Sequence, residues 1–196
     1  IAEILKADDA QYPEGTEHKL NHLMVSPNGD KCLAVHRYFN GAVRQGRMLL
    51  LSMDVNDIVV LPTGKVVSHY CWINNSEAIA FVDNDIGNLK YYRLNVDDQA
   101  LTSIESLSNL GDGHPTPLTG NEYITDTYPN RWGYQKLLRI NGDEKPVELG
   151  SFEHKADYNG ESRCDLHPVF CCHSGFLYFD SLLSKKRRLY RMKIGS

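Results

Sequence analysis

The chain has 196 residues, of which 41% are hydrophobic and 10% aromatic, so it can bury a core and is not a disordered polypeptide. Its formal net charge of −4 and the lack of a long basic face argue against nucleic acids and anionic membranes as partners. No stretch approaches the about 18 consecutive apolar residues that cross a bilayer. We therefore expect no nucleic-acid partner and no membrane partner.

The five cysteines are an odd number and lie mostly in apolar, strand-like contexts, which is typical of buried free thiols. This usage favours a reducing compartment, and we expect a cytoplasmic protein. The chain begins with Ile rather than Met, and no signal-peptide pattern precedes its first predicted strand. We expect the natural chain to be longer, with these residues as its C-terminal part.

Short apolar or alternating runs, bounded by Gly, Pro, Asn and Asp, recur along the sequence, whereas helical periodicity is almost absent. This pattern predicts an all-β protein with many short strands. The runs fall into four groups in chain order. The predicted strands lie at 22–25, 31–36, 48–53 and 58–61, then at 69–72, 78–82, 89–94 and 101–107, then at 114–117, 122–127, 135–140 and 146–149, and finally at 167–170, 176–180 and 188–194.

A histidine opens each group, and successive histidines are 47, 45 and 53 residues apart. That period is typical of propeller blades, each made of four antiparallel strands. We therefore predict a single β-propeller over 1–196, with blades at about 20–62, 67–108, 112–150 and 164–196. The four histidines are His22, His69, His114 and His167.

The last group lacks a run for its outer strand, and two arrangements fit this observation. In one, residues 3–5 supply the missing strand and close a small four-bladed ring, which removes exposed sheet edges. In the other, the four blades are the last ones of a longer propeller, whose remaining blades cover the open edges. We expect the second arrangement.

Polar residues are predicted to converge at one mouth of the propeller channel. The innermost strand of each blade lines the channel, and its start lies on the same face as the end of the second strand because neighbouring strands are antiparallel. The four histidines therefore share this mouth with Arg37, Asp126 and Tyr128. Each polar group alone would be explained by a backbone hydrogen bond, but four imidazoles together favour a metal or an anionic ligand on the axis.

Other polar and aromatic residues have two interpretations. Trp72 lies in a predicted inner strand, which favours a core position, whereas Trp132 lies in a connection and is placed to stack on a sugar. Arg163 and Asp165 precede the last inner strand. They form either an ordinary ion pair or a carboxylate-binding arginine beside an oxygen ligand.

Several short motifs resemble successive blades of one family. They are NHLMVSP at 21–27 with His36 and GRML at 46–49, SHYCW at 68–72, GDGHP at 111–115, and CDLHP at 164–168. Together they resemble the oligogalacturonate lyase family, and a similar pattern occurs in TolB-like propellers. The resemblance spans residues 17–194.

The resemblance implies a seven-bladed propeller that cleaves uronate-containing oligosaccharides by β-elimination. It also implies a divalent metal such as Mn²⁺, held by histidines and a glutamine. Carried over to this chain, it makes His114 and His167 metal ligands, Arg47 the residue that abstracts the proton, and His69 a substrate or acid–base residue.

The sequence departs from the family at two ligand positions. Asp165 stands where the family has a histidine, and the expected glutamine falls near Ser162. Because a carboxylate can ligate a hard cation, the predicted metal ligands are His114, Asp165 and His167.

A β-elimination requires that the uronate carboxylate be neutralised and that a base and an acid lie within hydrogen-bond reach. We expect an anionic oligosaccharide or polysaccharide as the partner and a lyase as the function, with a non-catalytic propeller that binds a glycan or a protein as the alternative. The candidate catalytic residues are Arg47, His69 and Tyr128. The candidate substrate-binding residues are His22, Arg37, Trp132 and Arg163.

Overall fold

The computed structural model describes residues 12–53, 57–84 and 87–195. Their regular structure is β-strand, apart from two single-turn 3-10 helices at Glu105–Leu107 and Gly160–Ser162. The predicted all-β class is therefore confirmed. The chain divides into two compact units, Ile1–Ser103 and Ile104–Ser196.

The first unit contains two antiparallel sheets of four strands, each in sequential order, as expected for propeller blades. The first sheet consists of β1 (Glu17–Val25), β2 (Lys31–Asn40), β3 (Val43–Ser52) and β4 (Ile58–Val60). The second consists of β5 (Val67–Trp72), β6 (Glu77–Val82), β7 (Lys90–Asn95) and β8 (Leu101–Ser103).

The second unit contains the third and fourth blades. The third sheet consists of β9 (Thr116–Pro117), β10 (Glu122–Asp126), β11 (Tyr134–Asn141) and β12 (Val147–Glu153). The fourth has three strands among the described residues, β13 (Val169–Cys171), β14 (Phe176–Ser181) and β15 (Arg188–Lys193). Residues 3–5, which we considered as a fourth strand for this blade, lie outside the described residues.

The inner strands begin differently in the two units. His22 and His69 were predicted to open their strands, and this is wrong, because β1 begins at Glu17 and β5 at Val67. The pairing of β1 with β2 shifts register between Asn21 and Met24, and His22 lies in this bulge with a φ of 51°. His114 and His167 were also predicted to open their strands, and each instead lies two residues before its short strand, β9 or β13.

Each unit has its own hydrophobic core. In the first unit, Trp72 is 3% exposed and its Nε1 donates a hydrogen bond of 2.9 Å to the main-chain oxygen of Met24, which confirms its core position. The core of the second unit is formed by Ile124, Leu137, Leu166, Leu177 and Phe179. All five cysteines are free thiols. No helix in the described part of the chain is long and apolar enough to cross a membrane.

Truncation of a core residue should destabilise the first unit. Leu94 is fully buried in its core, so Leu94→Ala should lower the free energy of unfolding by about 3 kcal/mol, through lost apolar burial and the cavity left behind. Leu89→Ala is the control, because Leu89 is 44% exposed, and it should cost less than about 0.5 kcal/mol. Chemical denaturation measures both, and equal losses would contradict this assignment of the core.

Candidate functional site

The carboxylate of Asp126 is the centre of a polar cluster in the second unit. Asp126 ends β10, and the pairing of Ile124 with Thr116 places it opposite His114. Its Oδ1 accepts a hydrogen bond of 2.6 Å from the main-chain N–H of His114, and the Nδ1 of His114 lies 3.0 Å from both carboxylate oxygens. Its Oδ2 accepts a 2.8 Å bond from the main-chain N–H of His167. One buried carboxylate therefore joins the inner-strand starts of two blades.

The hydrogen bond to Asp126 fixes the protonation pattern of the His114 ring. A carboxylate only accepts hydrogen bonds, so Nδ1 carries the proton and the lone pair of the neutral ring lies on Nε2. Burial lowers the pKa of His114, but the hydrogen bond and charge of Asp126, together with Asp165 and Asp112, raise it above its ordinary value. This environment favours the imidazolium form.

His167 is held beside His114 by the backbone. Its φ of 45° lies in the left-handed region, which a side-chain-bearing residue adopts only when other interactions compensate for the strain. The hydrogen bond to Asp126 is such an interaction. The two imidazole rings stack with centroids 4.2 Å apart and an angle of 28° between their planes.

A cation and an aromatic ring flank this pair of histidines. The Nη2 of Arg163 lies 2.7 Å from Oδ2 of Asp165, and its guanidinium carbon lies 4.8 Å from the ring centroid of Tyr128. The ring centroids of Tyr128 and His114 lie 5.8 Å apart, and the two rings are nearly perpendicular. Burial, together with the charges of Asp112 and Asp165, raises the pKa of Tyr128 to about 12. At neutral pH this phenol is a proton donor and not a base.

Asp165 has one oxygen that is unpaired among the described residues. Its Oδ2 accepts from Arg163, while its Oδ1 is buried and has no hydrogen-bond partner there. A buried polar atom without a partner is costly, so it marks a place where a ligand hydroxyl or a water would gain a hydrogen bond. The ion pair between Arg163 and Asp165 is confirmed, and a role of these two residues toward a ligand stays a prediction.

Trp132 is the most exposed aromatic candidate of the second unit. It is 70% exposed, and the guanidinium carbon of Arg131 lies 4.6 Å from its ring centroid. Its main-chain N–H donates to the side-chain oxygen of Asn130, which stabilises the turn. The exposure fits a stacking platform, and its role in sugar binding stays a prediction.

Arg47 lies on β3, opposite His36, in the first unit. It is 6% exposed, and its Nε donates a 3.0 Å hydrogen bond to Nδ1 of His36. The other nitrogen of His36 lies 3.0 Å from Nδ1 of His18, and the Tyr12 ring lies 5.7 Å from the Arg47 guanidinium. Sequence reasoning missed His18 and Tyr12, because neither belongs to a repeated position.

His22, His69 and Arg37 are also in the first unit. The rings of His22 and His69 pack edge to face, with their centroids 5.2 Å apart. Nδ1 of His69 lies 3.1 Å from the Ser68 hydroxyl. Arg37 is 8% exposed and donates from Nε to the side-chain oxygen of Asn21 at 3.1 Å. The structure thus brings His22 and His69 together, and their predicted roles toward a substrate stay predictions.

The described residues do not confirm the predicted metal site. Among them, no three His, Cys, Asp or Glu side chains are placed to hold a metal ion. Both oxygens of Asp126 accept N–H groups and Oδ2 of Asp165 accepts from Arg163, so the remaining donors are the two imidazoles and Oδ1 of Asp165, which are not placed as a metal-binding group. This arrangement does not fit a divalent cation, because even an open catalytic metal site uses three protein ligands placed around one point.

Comparison with known proteins supports the fold. No protein-family model matches the sequence, and no curated protein matches it. Among solved structures, the chain is similar to a protein of Agrobacterium tumefaciens assigned as TolB, with 13% identity and a TM-score of 0.65 over 90% of this chain and 58% of that one. It is also similar to an oligogalacturonate lyase in complex with manganese, with 10% identity and a TM-score of 0.55 over 95% of this chain and 68% of that one.

These similarities, together with the four blades, show that the chain has the β-propeller fold that both of these proteins share. The resemblance found in the sequence motifs is confirmed at the level of the fold. The chain spans about 58% of the length of the TolB-like protein that it matches.

A methyl group at residue 113 should disturb the cluster. A Cβ on Gly113 would overlap the main-chain oxygen of Asp126 and lie 2.8 Å from the Thr125 hydroxyl. Gly113→Ala should therefore lower the melting temperature and shift the NMR resonances of the His114 ring. Gly111→Ala is the control, since a Cβ there would meet nothing within 4 Å. An unchanged His114 signal in Gly113→Ala would contradict the close packing.

The raised pKa of His114 makes part of the folding stability depend on pH. The stabilisation by Asp126 is fully present below the ordinary histidine pKa of 6.5 and is lost as the pH rises through the raised value in the folded state. Asp126→Asn should therefore lower the pKa of His114 by NMR titration and cost more unfolding free energy at pH 6 than at pH 8.5. A cost that does not change with pH would contradict this coupling.

Proposed function

We propose that the protein is a carbohydrate-active β-propeller that binds uronate units of an oligosaccharide at the His114–Asp126–His167 cluster and cleaves the chain by β-elimination. The observation that carries this proposal is the pair of stacked imidazoles fixed by one buried carboxylate. The fold shared with an oligogalacturonate lyase supports the choice of reaction.

Two cations of the cluster can serve the first requirement of the reaction. Removing the proton α to a uronate carboxylate places negative charge on that group, so cations nearby lower the barrier. Arg163 is a permanent cation and the raised pKa of His114 favours the imidazolium form, each of them paired with a carboxylate, Asp165 or Asp126. In the proposal, these two groups bind the uronate carboxylate.

The proton transfers are assigned to the groups around these cations. His167, stacked on His114, takes the proton α to the carboxylate, which breaks the C–H bond. The electrons form the carbon–carbon double bond as the glycosidic C–O bond breaks. Tyr128, whose pKa is about 12, remains protonated and gives its proton to the leaving oxygen. Roles for Arg47 and His69, which lie in the first unit, remain alternatives.

A metal has no step in this scheme, because the described donor set does not fit one. That same observation favours the second candidate function, a propeller that binds a glycan or a protein without cleaving it. The two functions share the binding site and differ in the fate of the ligand. An assay that follows the product therefore separates them.

The test is the ultraviolet absorbance of an unsaturated uronate product. Polygalacturonate, alginate and hyaluronan are incubated with the protein, once with a chelator and once with added Mn²⁺. At least one polymer should yield absorbance, and His167→Gln should lower the rate at least about 100-fold, as expected for loss of a general base. The control is His173→Gln, in the exposed turn after β13.

The outcomes assign the function. Absorbance in the chelated sample supports the metal-free scheme, whereas absorbance only with Mn²⁺ contradicts that scheme and restores the metal expected from the sequence. Saturable binding without any product on every polymer would support the non-catalytic function. Equal activity of His167→Gln and the wild type would overturn the site assignment.

A further inference from the structure

An exposed turn in the second unit carries two adjacent thiols and an imidazole. It covers residues 171–175, with the sequence CCHSG, and joins β13 to β14. Cys172 is exposed, whereas Cys171 is partly buried. His167 precedes β13, so this turn lies at the opposite end of the strand from the cluster around Asp126.

The five thiols of the chain differ in access and in acidity. Cys71 and Cys164 are buried, and burial raises the pKa of both, to about 12 for Cys71. Cys32 is partly buried, and burial raises its pKa as well. Because the thiolate is the nucleophile, these three groups react poorly at neutral pH. The sulfur of Cys172 is exposed, so a reagent from solution reaches it most readily.

An imidazole lies beside this exposed sulfur. The Sγ of Cys172 lies 3.5 Å from Nδ1 of His173, and both side chains are exposed. A thiol donates a hydrogen bond, and Nδ1 of a neutral imidazole accepts one when the ring proton is on Nε2. An adjacent base of this kind activates a cysteine, because it takes the proton as the thiolate forms.

The neighbouring thiol, Cys171, is engaged by the turn itself. Hydrogen bonding from the side chain and the main chain of Ser174 lowers the pKa of Cys171. The intrinsic nucleophilicity of a thiolate falls as its pKa falls, and partial burial limits access to this sulfur. We therefore expect Cys172 to react before Cys171.

The turn is fixed by hydrogen bonds and carries an ammonium group. The main-chain N–H of Gly175 donates a 2.8 Å hydrogen bond to the main-chain oxygen of Cys171. The Nζ of Lys193, an exposed residue of β15, donates a 2.7 Å hydrogen bond to the main-chain oxygen of Ser174. A Cβ on Gly175 would lie 2.7 Å from the same Nζ, so the ammonium packs directly on the turn. A cation held at this place attracts anionic reagents.

We propose that Cys172 is a site of reversible thiol modification, which forms a mixed disulfide with an anionic low-molecular-weight disulfide such as glutathione disulfide. His173 takes the thiol proton, and the thiolate of Cys172 attacks one sulfur of the reagent. A new S–S bond forms as the S–S bond of the reagent breaks, and the released thiolate takes the proton from His173. Cys172 is thereby oxidised, one half of the reagent leaves as a thiol, and the carboxylates of the other half lie near Lys193.

The test is incubation of the folded chain with glutathione disulfide at neutral pH, followed by mass spectrometry of the intact protein and of its peptides. One glutathionyl group should appear first on Cys172, and dithiothreitol should remove it. The buried Cys71 and Cys164 should stay unmodified, which also checks that the fold is intact. A first label on Cys171 or Cys32 would overturn the assignment.

Variants test the two groups that assist the reaction. His173→Gln should slow the labelling of Cys172 at least about fivefold, because the adjacent base is lost. Lys193→Gln should slow it about threefold at low ionic strength, as expected for one exposed charge, and high salt should remove this difference. With the uncharged hydroxyethyl disulfide, Lys193→Gln should react like the wild type.

The matched control is Lys186→Gln, which removes the same charge from another exposed position of the fourth blade and should leave the labelling rate unchanged. Labelling of His173→Gln at the wild-type rate, or equal slowing by Lys193→Gln and Lys186→Gln, would contradict the proposal. The site does not depend on the lyase function, because Cys172 takes no part in the proton transfers assigned to His167 and Tyr128.

Discussion

The second unit depends on the burial of one carboxylate. Asp126 is 2% exposed, and a charge removed from water is costly unless hydrogen bonds replace its hydration. Three N–H groups do so here, two from His114 and one from the backbone of His167. The end of one strand and the inner-strand starts of two neighbouring blades are thereby held together. The left-handed backbone of His167 and the tight packing at Gly113 follow from this arrangement.

The same position of a neighbouring blade is used differently. Asp180 is the last residue but one of β14, and the pairing of Val169 with Tyr178 places it opposite His167, as Asp126 lies opposite His114. Its carboxylate instead pairs with Arg187, at 2.6 Å from Nη2. Repetition of the blade therefore supplies the positions, and the individual side chains determine which of them form a site.

The fold could be predicted from the sequence because strand periodicity and the spacing of the blades are local signals. The bulge at His22 could not be predicted, because the register shift in β1 depends on how this strand pairs with β2. Asp126 was recognised as a strand end, but its bonds to two inner strands depend on contacts far apart in sequence. His18 lies beside His36 because strand β1 pairs with strand β2, and no local sequence signal marks this contact. The metal expected from the resemblance needs ligands that the described residues do not bring together.

We propose that His114 and His167 form the ligand-binding surface of the second unit. The most direct measurement is NMR of the histidine rings during titration with trigalacturonate, with signals assigned by single His→Gln variants. We expect saturable shifts for His114 and His167 and an unchanged signal for His173, which lies exposed in the same unit. Equal shifts of all three rings, or no shift of the first two at saturating ligand, would contradict it.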